Sequence, residues 1–91
     1  MAEIQRDVLI RNMTVNLPTL RTALGLTQEE LAEKIGVSRS TVIAMETGKR
    51  EMTWNTFLSL VLLFTKNKAT DRLLQALEIY TDDLNAFIKL R

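Results

Sequence analysis

The sequence predicts an all-α domain of about five short helices, followed by a further helical stretch toward the C-terminal end. Three observations carry that expectation. The three glycines and the single proline all fall where helices would start or stop. Thr27-Gln28-Glu29-Glu30 has the form of a capping box, in which a threonine and a glutamate satisfy each other's backbone amides. Apolar residues recur from Leu17 onward at the spacing of one helix face.

The elements follow in order. Residues 3–15 are ambiguous: Ile4, Val8 and Leu9 suit a helix, while Val8 to Val15 also suits a strand. Asn16 reads as a cap, with Pro18 in the first turn, where its missing N–H costs nothing. Leu17, Leu20, Ala23 and Leu24 continue that helix and Gly25 ends it. Thr27 caps a second helix with Leu31, Ala32 and Ile35 inward, and Gly36 stops it. Ser38 caps a third, Arg39 to Thr47, with Val42 and Met45 inward, and Gly48 closes it. So short a link at Gly36 makes the second and third helices cross steeply. Thr53 caps a fourth helix, Trp54 to about Thr65, whose apolar residues leave almost no polar side. A last helical region starts near Thr70 and breaks near Thr81; Leu73, Leu77, Tyr80, Leu84, Phe87 and Arg91 form one row whose apolar members would line a seam.

Composition limits the chemistry. The 91 residues make one small domain, 46% hydrophobic and 25% charged, which is ordinary for a globular chain. The net charge of +1 means that any basic site must be local. Without cysteine or histidine there is no disulfide, thiolate nucleophile, imidazole base or usual zinc ligand set. Asp82-Asp83 reads as helix-cap acids without basic or metal-binding companions. No enzyme, cofactor or metal is therefore expected. The opening MAEIQRDVLIRNM lacks the apolar run of a secretion signal, and Phe57 to Phe64 is too short to span a bilayer. The expected setting is cytoplasmic, bacterial or phage-type, at the nucleoid.

The segment TQEELAEKIGVSRSTVIAMETGKR, Thr27 to Arg50, resembles the helix-turn-helix of the lambda-repressor/Cro-like (XRE) family. Gln28, Ala32 and Gly36, the inward Leu31, Ile35, Val37, Val42 and Met45, and the closing Glu46-x-Gly48-Lys49 agree in spacing. The match reaches back to LRTALG and, more weakly, forward through the fourth helix. The resemblance implies a lambda-repressor-like helix-turn-helix bundle. Residues 1–15 would be an N-terminal extension, 16–66 the DNA-binding domain, and 67–91 a region for core completion or dimerisation.

It also implies double-stranded DNA as the partner. Gln28, Ser38, Arg39, Ser40, Thr41, Ala44, Thr47, Lys49 and Arg50 fall at positions that usually face DNA. The outer side of the third helix carries Arg39, Ser40, Ile43, Ala44 and Thr47, and a helix of this diameter fits the major groove. Arg39 is suited to a guanine edge, and Ser40 and Thr41 to bases or phosphates. Thr27 and Gln28, with the free amides of the second helix, make a phosphate site. Lys49 and Arg50 are suited to backbone phosphate. Each has a plainer reading: Gln28 as a polar first-turn residue, Ser38 as a cap, Lys49 and Arg50 as solvated loop residues. The family also pairs an arginine with a glutamate across the first and third helices, here Arg21 and Glu46, as a structural ion pair.

Two departures stand out. Ile43 and Ala44 are apolar where the family places polar or basic residues. They suit thymine methyls, weak discrimination led by Arg39, or a protein partner. The fourth helix is apolar even at Leu62, which must be covered by residues 1–15, the C-terminal region or a second subunit. A homodimer through the region after Trp54 is the favoured expectation. The rival to a DNA-binding regulator is a protein-interaction module, an antitoxin or phage-type adaptor, with a toxin-like or other protein partner.

Overall fold

The longest helix holds the largest departure from these expectations. In the computed structural model, which describes residues 4–89, α1 runs unbroken over Arg6–Ala23. Asn16 caps nothing: its side-chain Nδ2 donates to the Asn12 carbonyl at 2.8 Å, inside the helix. Pro18 lies in the interior, where it has no N–H to give the carbonyl four residues back. An interior proline costs about 3 kcal/mol in an isolated helix. Here Leu9, Met13, Leu17 and Leu20 form a buried stripe along α1, so packing holds the helix through it. Of the ambiguous residues before Asn16, Arg6 to Val15 are thus helical, and Leu9 and Met13 among them face the core.

The other elements are α2 (Gln28–Ile35), α3 (Arg39–Glu46), α4 (Trp54–Thr65), α5 (Lys68–Ala76) and α6 (Asp82–Ile88). Every regular element among the described residues is a helix, with no strand. Caps define the starts. Thr27 accepts from the Glu30 amide at 3.0 Å while Glu30 Oε1 accepts from the Thr27 amide at 2.9 Å. Ser38, Thr53 and Thr81 each accept from the amide three residues on. Gly36 ends α2 at φ 76°, a left-handed conformation that residues with a Cβ resist. The Val37 amide then donates to the Ala32 carbonyl at 3.0 Å, so α3 starts almost at once.

α4 is the central element and packs against α1, α2 and α5. Phe57, Leu60 and Phe64 of α4 are fully buried, and Leu31 of α2, Val42 of α3 and Leu74 of α5 close around them. Thr70 is the one buried polar residue among those described; its hydroxyl donates to the Phe64 carbonyl at 2.6 Å and ties α5 to the end of α4.

The row expected from Leu73 to Phe87 meets the core only in part, with Leu73, Leu77 and Tyr80 packed against it and Leu84 within it. Leu74 and Ile79 are fully buried; Leu73, Leu77 and Tyr80 are half-buried and Phe87 is exposed. Arg91, the last member of that row, lies outside the described residues. The cause is the break after α5, where Glu78 adopts φ 59°. A left-handed residue resets the helix phase, so no single face continues into α6. Of Leu84 and Phe87 beyond the break, Leu84 reaches the core and Phe87 does not. Leu62 is covered by neither α1 nor the C-terminal helices and stays 62% exposed.

Candidate nucleic-acid interface

α3 is presented rather than buried. Val42 and Met45 are its two fully enclosed residues, and they leave the rest of the short helix at the surface. Arg39 and Ser40 in the first turn are exposed, Thr41 is half-buried, and Thr47, Lys49 and Arg50 beyond it are exposed. Ile43 and Ala44 are half-buried rather than fully open. Neither belongs to the set packed on the core, so they form a shallow apolar step on the presented side.

The hydroxyls at the start of α3 are already ordered. Ser38 Oγ lies 3.0 Å from Ser40 Oγ and 2.9 Å from Thr41 Oγ1. Arg50 Nη1 donates to Thr41 Oγ1 at 3.4 Å, bringing the loop after α3 back to its first turn. Thr47 Oγ1 donates to the Ile43 carbonyl at 2.9 Å, so its proton is used within the helix and the oxygen is left to accept. Lys49 and Arg50 are held by their backbones. Gly48 takes φ 76°, and the next two amides donate to the Ala44 carbonyl at 2.9 and 3.1 Å. Two cations are therefore fixed just past the end of α3.

The start of α2 stands beside this surface. Arg21, Thr27, Gln28, Glu29 and Arg39 line one shallow hollow. The α2 N-terminus adds its positive dipole end there, which favours an anion. The capping box already satisfies the Glu30 amide, so the free donors sit in the first turn ahead of it.

Behind the hollow lies a network that sequence spacing did not reveal in full. Arg21 Nε donates to Glu46 Oε2 at 2.8 Å and Arg21 Nη2 to Glu46 Oε1 at 3.3 Å, a two-point pair across α1 and α3. The two side chains are only 15% and 6% exposed. Arg21 Nη1 donates to the Leu26 carbonyl at 2.9 Å, so one guanidinium grips both the α1–α2 turn and α3. The unforeseen member is Gln28, whose Nε2 donates to Glu46 Oε1 at 2.9 Å. One of its two amide hydrogens is thus committed inward and the other remains for a ligand. Nothing in the local sequence signals this bond, which joins residues 18 positions apart.

A helix-turn-helix family model matches residues 19–53, from inside α1 to the cap of α4. A protein of Methanocaldococcus jannaschii named as an uncharacterized HTH-type transcriptional regulator is 41% identical over 71 residues, covering 78% of this chain and 98% of that protein. One of Methanothermobacter thermautotrophicus with the same description is 66% identical over 29 residues, 32% of this chain and 42% of that protein. A third, from Archaeoglobus fulgidus, is 46% identical over 37 residues, 41% of this chain and 53% of that protein. The aligned part thus spans about half the length of two of these relatives. No solved structure matches the chain. No helix among the described residues is long and apolar enough to cross a membrane. With its cap-turn-cap arrangement of α2 and α3 and a near full-length relative, the chain belongs to the Cro/XRE-like helix-turn-helix family.

Proposed function

We propose that the protein is a sequence-specific DNA-binding transcriptional regulator that reads the major groove with α3. The observation that carries this reading is the presented side of α3, with Arg39, Ser40 and Thr41 at its first turn and Lys49 and Arg50 fixed behind it. Arg39 makes no hydrogen bond or ion pair among the described residues, which suits a group kept for a guanine edge. The hollow at the α2 N-terminus takes one backbone phosphate, with Thr27 and the free hydrogen of Gln28 as donors. Lys49 and Arg50 take others. Ile43 and Ala44 supply an apolar step suited to thymine methyls. Two copies acting as a homodimer would read the two halves of a palindrome.

A fluorescence-anisotropy titration against selected DNA fragments tests the reading. Affinity should fall linearly with salt on logarithmic axes, with a slope set by the number of phosphates neutralised. Arg39→Ala should relax preference at one base position by about 1–3 kcal/mol, whereas Lys49→Ala should weaken all sequences alike and reduce the salt slope by about 1. If no selected fragment binds better than random DNA at the same salt, the sequence-specific reading is wrong.

A further inference from the structure

We infer that the outer face of α4 is a self-association surface, occupied by the same face of a second copy of this chain around Leu62. The inference deepens the homodimer part of the reading above. It is tested without DNA, so its failure leaves DNA binding untouched.

The starting observation is a ridge between two grooves. Leu62 is 62% exposed on a helix, Trp54–Thr65, that carries no charged residue. On one side it borders a shallow apolar groove with Leu58, Val61, Tyr80 and Ile88. On the other it borders a second with Ile35, Ser59 and Leu63. Ile88 adds a second exposed apolar side chain to the first groove. A leucine standing between two apolar grooves offers both a knob and its socket on one surface, which is what an isologous contact needs.

Charge selects the occupant. Lys34 and Lys66 edge the groove on the Ile35 side. Beyond the other groove, Asp71 and Asp82 share a hollow with Thr65 and Tyr80. None of these four joins an ion pair among the described residues, where Arg21–Glu46 is the one pair formed. A two-fold axis parallel to α4 and offset from Leu62 toward one groove exchanges the two sides. The basic edge of each copy then faces the acidic edge of the other, and each Leu62 enters the partner's groove. An unlike partner would need its own ridge, groove and split charge; a second copy has them already.

Sedimentation velocity over a concentration series, without DNA, provides the test. The unmodified chain should show a monomer–dimer equilibrium. Leu62→Glu should raise its dissociation constant about a hundredfold, because one substitution removes two leucines from the dimer interface. Its circular dichroism and melting should stay those of the parent, since Leu62 is exposed. The charge arrangement has its own readout. Lys34→Glu/Lys66→Glu and Asp71→Lys should each dimerise worse alone, and an equimolar mixture of the two should recover association. A parent chain monomeric at all concentrations overturns the inference, as does a Leu62→Glu chain that dimerises like the parent. A mixture no better than its components overturns the two-fold pairing of unlike edges.

Discussion

Replacing Glu46 with alanine should be among the most damaging single changes outside the apolar core. Its carboxylate accepts from Arg21 Nε, Arg21 Nη2 and Gln28 Nε2, at 2.8, 3.3 and 2.9 Å. Truncation leaves the guanidinium with only the Leu26 carbonyl as partner. Losing one member of a buried pair costs about 3–5 kcal/mol, while an exposed pair is worth under about 1. At 15% and 6% exposure this pair lies close to the buried limit, though water reaching Arg21 softens the loss. We expect a cost of about 2–4 kcal/mol. A domain of this size has about 5–14 kcal/mol in all, and each kcal/mol moves its melting temperature by about 4–8 °C. The melt of Glu46→Ala should therefore fall by about 10–25 °C, read by circular dichroism at neutral pH. A cycle with Arg21→Met, Glu46→Met and the double variant isolates the pair, and the double should recover much of the loss. A fall under about 4 °C, or a coupling below about 0.5 kcal/mol, would refute the argument that this pair holds α3 against α1.

Other outcomes follow from backbone and caps. Gly36→Ala should destabilise by about 1 kcal/mol through backbone strain alone, since no atom lies within 4 Å of an added Cβ. Glu78→Gly should do the reverse, raising stability by about 0.5–1 kcal/mol, because Glu78 already sits at φ 59°. Thr70→Val should cost about 1–3 kcal/mol by stranding the Phe64 carbonyl, and Thr70→Ser much less, both measured by urea unfolding. The Thr27 backbone N–H, and then its hydroxyl, hold the Glu30 carboxyl below its ordinary value of 4.5. A lowered folded pKa contributes stability above the unfolded value and loses it as pH falls through the folded one. The deficit of Glu30→Gln relative to the parent should thus be full at pH 7 and shrink as the solution is acidified below about 4.5. A deficit independent of pH would remove the carboxylate from the cap.

The parts of the fold legible in the sequence are those fixed by neighbours. α2, α3 and α4 announce themselves through Thr27, Ser38 and Thr53, each within three residues of the amide it caps. The turn at Gly36 was legible for the same reason. α1 was harder, because Pro18 is locally a sign of a helix start and only tertiary packing reverses that sign. The stripe Leu9, Met13, Leu17, Leu20 runs straight through it, but its force comes from the packing of α3, α4 and α5 against α1. The row from Leu73 fits only in part because it carries one helical phase past the break, and the left-handed φ of Glu78, which resets that phase, is announced by no residue type. At the candidate interface the face of α3 followed from inward Val42 and Met45. The hold of Glu46 on Gln28 did not, since side-chain networks between distant residues leave no periodic trace.

The continuity of α1 separates two things easily taken as one. The segment that identifies the family, residues 19–53, starts inside α1 and stops before α4 begins. Cut out alone, it would leave behind Leu9, Met13, Leu17, Phe57, Leu60 and Phe64, and with them most of what α2 and α3 lean upon. The recognisable portion of this protein is therefore a reading head without a frame. Anyone transplanting α3 to another scaffold must carry Arg21 with it, and the spine that holds Arg21 reaches back to Arg6.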